Sequence, residues 1–206
     1  TALVVPKVSV KDWSLRIHGM VDREITLDYE SLLNRPQIEV DATIACVSNQ
    51  VGGDLIGNAR WLGCRLDDLL EEAGIEASAD QIVGRSVDGF TAGFPTATLD
   101  GRDAIVAVGM NGEALPTVHG YPARLIVPGL FGYVSATKWL AEIELTRFED
   151  FEGYWIPRGW DRDAPVTTSS RIDTPKDHSE VAAGERFGVG GVAWAISKKG
   201  GTAIQE

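Results

Sequence analysis

Cys46 is the side chain of this sequence best suited to bind a metal or to act as a nucleophile. It ends an alternating apolar run, residues 39–46, and precedes a loop of turn-forming residues at 48–54. A thiol placed there extends from a rigid strand into a pocket, and thiolates are the soft ligands that sulfur-binding metals prefer. The alternative is a small buried apolar residue, because free cysteine is among the most buried residue types.

A second candidate is the segment His119-Gly120-Tyr121-Pro122-Ala123-Arg124. If Arg124 begins a strand, its guanidinium can make a bidentate contact to a phosphate, and His119 can donate to the same phosphate from the preceding loop. The alternative is a loop histidine and a surface arginine.

The third candidate is the stretch at residues 127–139. Its glycines and its run Ser135, Ala136 and Thr137 allow the backbone to approach a ligand closely, and Lys138 adds a positive charge. An ordinary loop between two strands is the alternative, although the many apolar and aromatic residues of this stretch indicate a packed wall.

Strands and short helices must position these residues. Apolar patterning and turn residues predict strands over 13–21, 39–46, 81–86, 104–110, 123–127 and 139–145. Helices are predicted over 27–33 and 66–72, and Gly74 follows the end of the second. Because the elements lack βαβ regularity, they predict an α+β fold with a mixed sheet.

The tail of the chain differs in composition from the part before it. Residues 166–180 are rich in Thr, Ser and Asp and predict a linker, residues 187–196 predict a strand pair or a bulged strand, and 198–201 predict a turn. We therefore expect one domain over residues 1–165, followed over 166–206 by a linker and the start of a truncated β domain.

Composition excludes several classes of function. The formal net charge of −11 and the pI of about 4.7 argue against a nucleic-acid partner, because such a surface repels phosphates. Two cysteines are too few for a disulfide framework or a four-thiolate metal site, although a single disulfide between them is an open alternative. The chain has no P-loop, dinucleotide fingerprint, zinc-protease motif or nucleophile elbow. A hydrolase is therefore the least favoured hypothesis, behind the two that are given at the end of this section. No apolar stretch is long enough to predict a membrane span.

Four segments in order resemble the molybdopterin domain of the sulfite oxidase family, in its bacterial short-loop type. The resemblance covers roughly residues 13–150 and rests on Ala45–Asn49, Ala59–Gly63, Met110–Pro116 and His119 through Trp139. The tail from about Ser170 resembles the start of the immunoglobulin-like dimerisation domain of that family, which implies a homodimer through a domain mostly absent here.

The resemblance implies a cofactor of molybdenum with one pyranopterin. It implies that Cys46 ligates the metal, that His119 and Arg124 hold the pterin phosphate, and that the segment 135–138 contacts the pterin. Asp88 is expected near the pterin edge.

The activity that the resemblance implies is two-electron oxygen-atom transfer on a small oxyanion or an S- or N-oxide. Electrons would pass to a separate partner, because the chain has no haem motif. A sulfoxide or N-oxide reductase on the same scaffold, or a cofactor-free binding module, are the alternatives. Arg60 is a candidate catalytic residue for an anionic substrate, with a structural ion pair as its alternative.

Three departures from the family pattern concern the substrate and the parent protein. The loop from Cys46 to Arg60 is short, and Trp160 stands where sulfite oxidases place a tyrosine, five residues after Trp155. An upstream segment with further cofactor contacts and the substrate arginine of the second domain are expected outside this chain. Many short-loop relatives follow a membrane segment, which allows an extracytoplasmic, anchored parent protein.

Overall fold

The computed structural model describes residues 4–50, 52–195 and 203–205. Its helices are α1 Tyr29–Leu33, α2 Leu66–Ala73 and α3 Gly132–Ser135, with 3₁₀ turns at Thr96–Thr98, Thr117–His119 and Ile156–Arg158. Its strands are β1 Ser14–Gly19, β2 Ile25–Asp28, β3 Ile38–Ala45, β4 Ile56–Arg65, β5 Gln81–Ser86, β6 Thr91–Pro95, β7 Ile105–Met110, β8 Glu113–Ala114, β9 Arg124–Ile126, β10 Leu140–Thr146, β11 Ser169–Thr174, β12 Gly190–Ala195 and β13 Ala203–Gln205.

These strands form three sheets in the described part of the chain. The first has the order β2-β1-β10-β5-β6, in which only β1 and β10 are parallel. The second has the antiparallel order β3-β4-β7-β8, with β9 also paired to β7. The third is β11-β12-β13. Mixed sheets with few helices confirm the α+β prediction.

The main core draws on both of the larger sheets and on α2. Leu15, Phe94, Leu125 and Ile143 from four different strands are fully buried in it. The apolar face predicted for α2 is confirmed, since its leucines all enter this core. Burial of such side chains is the main force that holds the two sheets together.

A smaller apolar cluster covers the other face of the second sheet. It includes Val40 on β3, Trp61 on β4 and Ile126 on β9. Arg124 lies two residues before Ile126 on the same strand, so its side chain leaves the sheet on this face. This face therefore positions a charged residue over an apolar platform.

The structure differs from the sequence prediction at several elements. The long strand β4 and the strand β6 were not predicted. Helix α1 begins at Tyr29, later than predicted, because Asp28 caps it by accepting a hydrogen bond from the Ser31 amide. The linker prediction was wrong at β11, whose backbone pairs with β12.

The last part of the predicted first domain folds back on the segment before α3. The Phe131 amide donates to the Ala164 carbonyl at 2.9 Å, and the Val166 amide donates to the Gly129 carbonyl at 2.9 Å. The turn predicted at 198–201 lies outside the described residues. Across the described ranges, no helix has the length and hydropathy needed to cross a membrane.

Gly63 should be essential for the approach of β7 to β4. A Cβ at this residue would lie 2.3 Å from the Val106 carbonyl oxygen and 2.7 Å from the Ala107 Cα, which are backbone atoms that cannot move aside cheaply. We expect Gly63→Ala to lower the free energy of unfolding by about 1–3 kcal/mol, measured by urea denaturation. Gly57→Ala on the same strand, where no atom lies within 4 Å, is the matched control. Equal stability of the two variants would contradict this packing.

Candidate active site

Cys46 lies one residue beyond the end of β3, and its side chain is exposed. Its amide donates to the Leu55 carbonyl at 2.9 Å, and its carbonyl accepts from the Asn49 amide at 3.0 Å. The predicted position at the end of a strand is confirmed, and the alternative of a buried apolar residue does not apply. A thiol on a backbone fixed at both polar groups is available to a ligand.

Cys64 has the opposite environment. It lies on β4, is only 2% exposed and belongs to the main core. Burial raises the pKa of its thiol to about 11. Both cysteines are free, so the open alternative of a disulfide between them is wrong.

Helix α3 brings the 127–139 segment next to Cys46. A Cβ at Gly132 would lie 3.1 Å from the Ile44 Cγ2 and 3.7 Å from the Ala45 carbonyl oxygen. The first turn of α3 therefore packs against the last two residues of β3. Two segments that are far apart in the sequence thus meet at the two residues that precede Cys46.

Arg124 begins β9, as predicted, and is only 5% exposed. Its guanidinium donates to the His119 carbonyl at 2.9 Å and to the Ala136 carbonyl at 3.4 Å, and it lies 4.9 Å from the centre of the Trp61 ring. Its Nε is buried, and no acceptor among the described residues reaches it. Burial lowers the pKa of Arg124 to about 10.

A buried guanidinium without a carboxylate partner is unfavourable by itself. Desolvation of one ion costs several kcal/mol, on the order of what a well-placed opposite charge recovers. No ion pair joins Arg124 to a carboxylate in the described part of the chain, and one N–H direction stays unused. The arrangement is therefore ready to accept an anion.

Lys138 and His119 lie beside Arg124 and complete a cationic cradle, the name used below for these three residues. Lys138 donates to the Val118 carbonyl at 3.0 Å. Its pKa is lowered by partial burial and then by Arg124. The pKa of His119 is also lowered, by desolvation first and then by the charges of Arg124 and Lys138. Each cation disfavours the others, and a bound anion would relieve this repulsion.

Gly120 allows the cradle to close. Its φ of +113° is left-handed, and a Cβ would lie 3.0 Å from both the Cα and the Cβ of Lys138. Its carbonyl accepts from the Trp139 amide at 3.2 Å. A residue with a side chain at this position would push the histidine and the lysine apart.

Ser135 and Thr137 hold the backbone of the segment from inside. Both are buried, and their hydroxyls donate to the carbonyls of Phe131 at 3.0 Å and of Gly84 at 3.5 Å. Ala136 and Lys138, between and after them, are partly exposed. Any ligand contact of Ser135 or Thr137 must therefore use the backbone, since their hydroxyls are engaged inside the protein.

Asp88 lies at the edge of the cradle, in the exposed turn between β5 and β6. Its carboxylate accepts from the Phe90 amide at 3.1 Å, and its negative charge partly opposes the lowering of the Lys138 pKa by burial and by Arg124. The preceding Val87 amide donates to the Trp139 carbonyl at 2.9 Å, which ties the turn to the cradle.

Arg60 is not brought to Cys46. Its guanidinium makes two hydrogen bonds to Asp41, of 3.0 and 3.1 Å, and both side chains are more than half exposed. Along the ladder, Ala45 lies four pairs beyond Asp41, roughly 14 Å away at the usual strand rise. The geometry favours the structural ion pair, and a catalytic role for Arg60 stays a prediction.

Two residues with a clear place in this site were not predicted as site residues. Trp61 forms the platform under Arg124, and Asn49 accepts from the Leu55 amide at 2.8 Å across the loop that follows Cys46. Both belong to segments noted in the sequence, but their contacts depend on β4, which the sequence did not predict.

The fold and the site define a domain with a cluster of basic groups suited to an anion and a free, exposed thiol. Residues 2–155 match the oxidoreductase molybdopterin-binding domain family. The chain belongs to this family.

Relatives of known name agree with this assignment. The chain is 32% identical over 148 residues to the uncharacterized oxidoreductase YuiH of Bacillus subtilis, and this alignment covers 72% of each protein. It is 33% identical over 238 residues to mitochondrial sulfite oxidase of Drosophila melanogaster, which covers 94% of this chain and 41% of that protein. The structure of the sulfane dehydrogenase SoxCD from Paracoccus pantotrophus matches with a TM-score of 0.74 at 25% identity, over 92% of this chain and 55% of that one.

These findings confirm the predicted kinship with sulfite oxidases, the class of molybdopterin-dependent oxidoreductase, and the cofactor of molybdenum with a pyranopterin. The chain spans less than half the length of the fly sulfite oxidase. The activity, substrate and partners of the whole protein are therefore treated below as proposals.

The two thiols should react very differently with an aromatic disulfide reagent. Cys46 is exposed, whereas Cys64 is buried and its pKa is raised by that burial to about 11. Burial therefore lowers the thiolate fraction of Cys64 and also keeps the reagent away from it. We expect one fast equivalent per native chain and two after denaturation. A fast equivalent that persists in Cys46→Ser would show that the environments are assigned wrongly.

Sulfate should bind the cofactor-free protein more tightly as the pH falls. The charge of sulfate is constant in this range, while bound sulfate raises the lowered pKa of His119, so binding takes up a proton. We expect affinity, measured by calorimetry, to rise as the pH falls from about 7.5 through the free His119 pKa below 6.5, then to level off.

Each unit by which sulfate raises this pKa gives roughly a tenfold gain in affinity. His119→Gln should remove the pH dependence, whereas Lys138→Gln should weaken binding at every pH. His178→Gln, at an exposed histidine, is the control and should behave like the unchanged protein. An unchanged pH profile in His119→Gln would refute the role of His119 in the cradle.

Proposed function

We propose that this domain holds its molybdenum pyranopterin between Cys46 and the cationic cradle, and that it serves two-electron oxygen-atom transfer on a small substrate. The observation that carries the proposal is the buried, unpaired Nε of Arg124, in a cluster of three basic groups whose pKa values are all lowered. A phosphate bound there would supply the missing acceptor and the missing negative charge.

The residues present suit the two ends of such a cofactor. The cradle suits the phosphate, and the exposed thiol of Cys46 suits a soft metal ion. Helix α3 lies between them, because Gly132 contacts the end of β3 and Ala136 accepts from Arg124. The bound group supplies the two-electron chemistry, while the protein binds it, orients it and neutralises its charge.

The substrate class is a small oxyanion or an S- or N-oxide. Trp160 packs against Tyr133 at 5.3 Å and Trp155 at 5.7 Å between ring centres, and it offers no phenol. The hydroxyl of Tyr133 donates to the Asp161 carbonyl at 2.7 Å. Since Arg60 is paired with Asp41, these residues do not build the substrate site expected for sulfite, and reduction of an S- or N-oxide is the alternative reaction.

Features of the parent protein follow from the family likeness. Electrons would pass to or from a separate redox partner, because the given sequence has no haem motif. The names sulfite oxidase and nitrate reductase among the relatives support a small oxyanion as the substrate. We propose that the sheet β11-β12-β13 begins an immunoglobulin-like domain through which the parent forms a homodimer. An extracytoplasmic, membrane-anchored parent stays a prediction from the likeness to short-loop relatives.

The cofactor content of variants tests the proposal. The full chain is produced in a host that makes the molybdenum cofactor, and molybdenum and pterin are measured by mass spectrometry and by pterin fluorescence. We expect Cys46→Ser to lower molybdenum content at least about tenfold. Even substitutions of residues that only hydrogen-bond to a metal ligand lower metal affinity by about that factor. We expect Arg124→Gln to retain pterin roughly ten- to a hundredfold less tightly, because a charge-assisted hydrogen bond is lost.

Arg85→Gln is the matched control for Arg124. Arg85 is partly buried and, like Arg124, lies over an aromatic ring, at 4.5 Å from the centre of Phe151. It differs from Arg124 in that it is paired with Glu144, which lies on the neighbouring strand of the first sheet. Its variant should keep both cofactor components. If the protein without substitutions contained neither molybdenum nor pterin, the proposal would be refuted and the cofactor-free binding module would be favoured.

A further inference from the structure

The loop that follows Cys46 is closed by one side chain. The Oδ1 of Asn49 accepts from the Leu55 amide at 2.8 Å, and the carbonyl of Leu55 accepts from the Cys46 amide at 2.9 Å. The Asn49 amide in turn donates to the Cys46 carbonyl at 3.0 Å. Three hydrogen bonds thus connect Cys46, Asn49 and Leu55 in a ring.

This ring uses every backbone polar group of Cys46 and Leu55. The carbonyl and the amide of each residue have a partner, and the next pair along the ladder is Ala45 with Ile56. The side chain of Asn49 therefore extends the strand pair by one more cross-link, at the point where regular pairing ends. The thiol leaves from a backbone that cannot rotate without breaking one of these bonds.

Gly53 leaves room for the amide of Asn49. A Cβ at Gly53 would lie 2.7 Å from the Asn49 Oδ1 and 3.0 Å from the Gln50 carbonyl oxygen. The Asn49 Oδ1 can therefore occupy its position only because Gly53 has no side chain.

We propose that Asn49 is a positioning residue, which acts through Leu55 to hold the backbone of Cys46 so that its thiolate meets the molybdenum in one orientation. The inference rests on the proposed role of Cys46 as the metal ligand. A short polar side chain with an acceptor oxygen is required, so aspartate can replace asparagine in this role whereas alanine cannot. Nothing in this role requires Asn49 to touch the metal or the substrate.

Amide hydrogen exchange of the cofactor-free full chain, measured by NMR, tests the clamp without any metal. In Asn49→Ala we expect the Leu55 amide to exchange about five- to tenfold faster, as expected for the loss of one hydrogen bond. Asn49→Asp should restore its protection. Ser48→Ala, at an exposed neighbour in the same loop, is the matched control and should leave the exchange unchanged. Unchanged exchange in Asn49→Ala would overturn the inference.

Molybdenum content of the same variants, produced with cofactor, tests the consequence. We expect Asn49→Ala to bind several-fold less molybdenum than the unchanged chain, with a melting temperature close to it. Faster exchange with full molybdenum content would overturn the positioning role while leaving Cys46 as the ligand. Equal molybdenum content in Cys46→Ser and the unchanged chain would instead refute the proposed function, and the exchange data would still decide whether Asn49 closes the loop.

A second variant keeps the inference open to refutation if Asn49→Ala fails to fold. Gly53→Ala places a Cβ against the Oδ1 of Asn49 and should displace it, with the same rise in Leu55 exchange. Gly57→Ala, where a Cβ meets nothing within 4 Å, is its control. Full protection of the Leu55 amide in Gly53→Ala would overturn the clamp.

Discussion

The burial of Arg124 with no negative partner among the described residues is the constraint on which the site depends. The guanidinium lies over Trp61, bonds to two backbone carbonyls and leaves its Nε unused. A charge in such a place destabilises the cofactor-free fold, because backbone dipoles recover only part of its lost hydration. An anion bound from outside would offset that cost, so ligand binding and the stability of this region are coupled.

Both of the larger sheets contribute segments to the site. Strand β9 delivers Arg124, β3 delivers Cys46, and the turn after β5 delivers Asp88 to the edge of the cradle. Helix α3 bridges the first two through Gly132 and Ala136. The chemistry of the site is therefore distributed over segments that the core packs together, and no single segment holds it.

The cradle and the thiol have contrasting rigidity requirements that the structure meets in different ways. Arg124 is held by burial and by stacking on Trp61, which fix the plane of its guanidinium for a contact to a phosphate. Cys46 is exposed, so packing cannot orient it, and hydrogen bonds from its own loop take over that task. If this loop is ordered before the cofactor binds, the metal meets a thiol that is already oriented.

The sequence alone determined the fold class and most of the strands, and it named the residues that we propose to hold the cofactor. Alternation, turn residues and the motif around His119 and Arg124 are local signals, and local signals survive in a single chain. It did not reveal β4, whose glycines and asparagine weaken its strand pattern, nor the ion pair that occupies Arg60, since both depend on cross-strand partners. Only the tertiary structure decided that Arg124 is buried and unpaired, that Cys46 is exposed while Cys64 is not, and that Asn49 closes the loop, because burial and hydrogen-bond partners come from segments distant in the sequence.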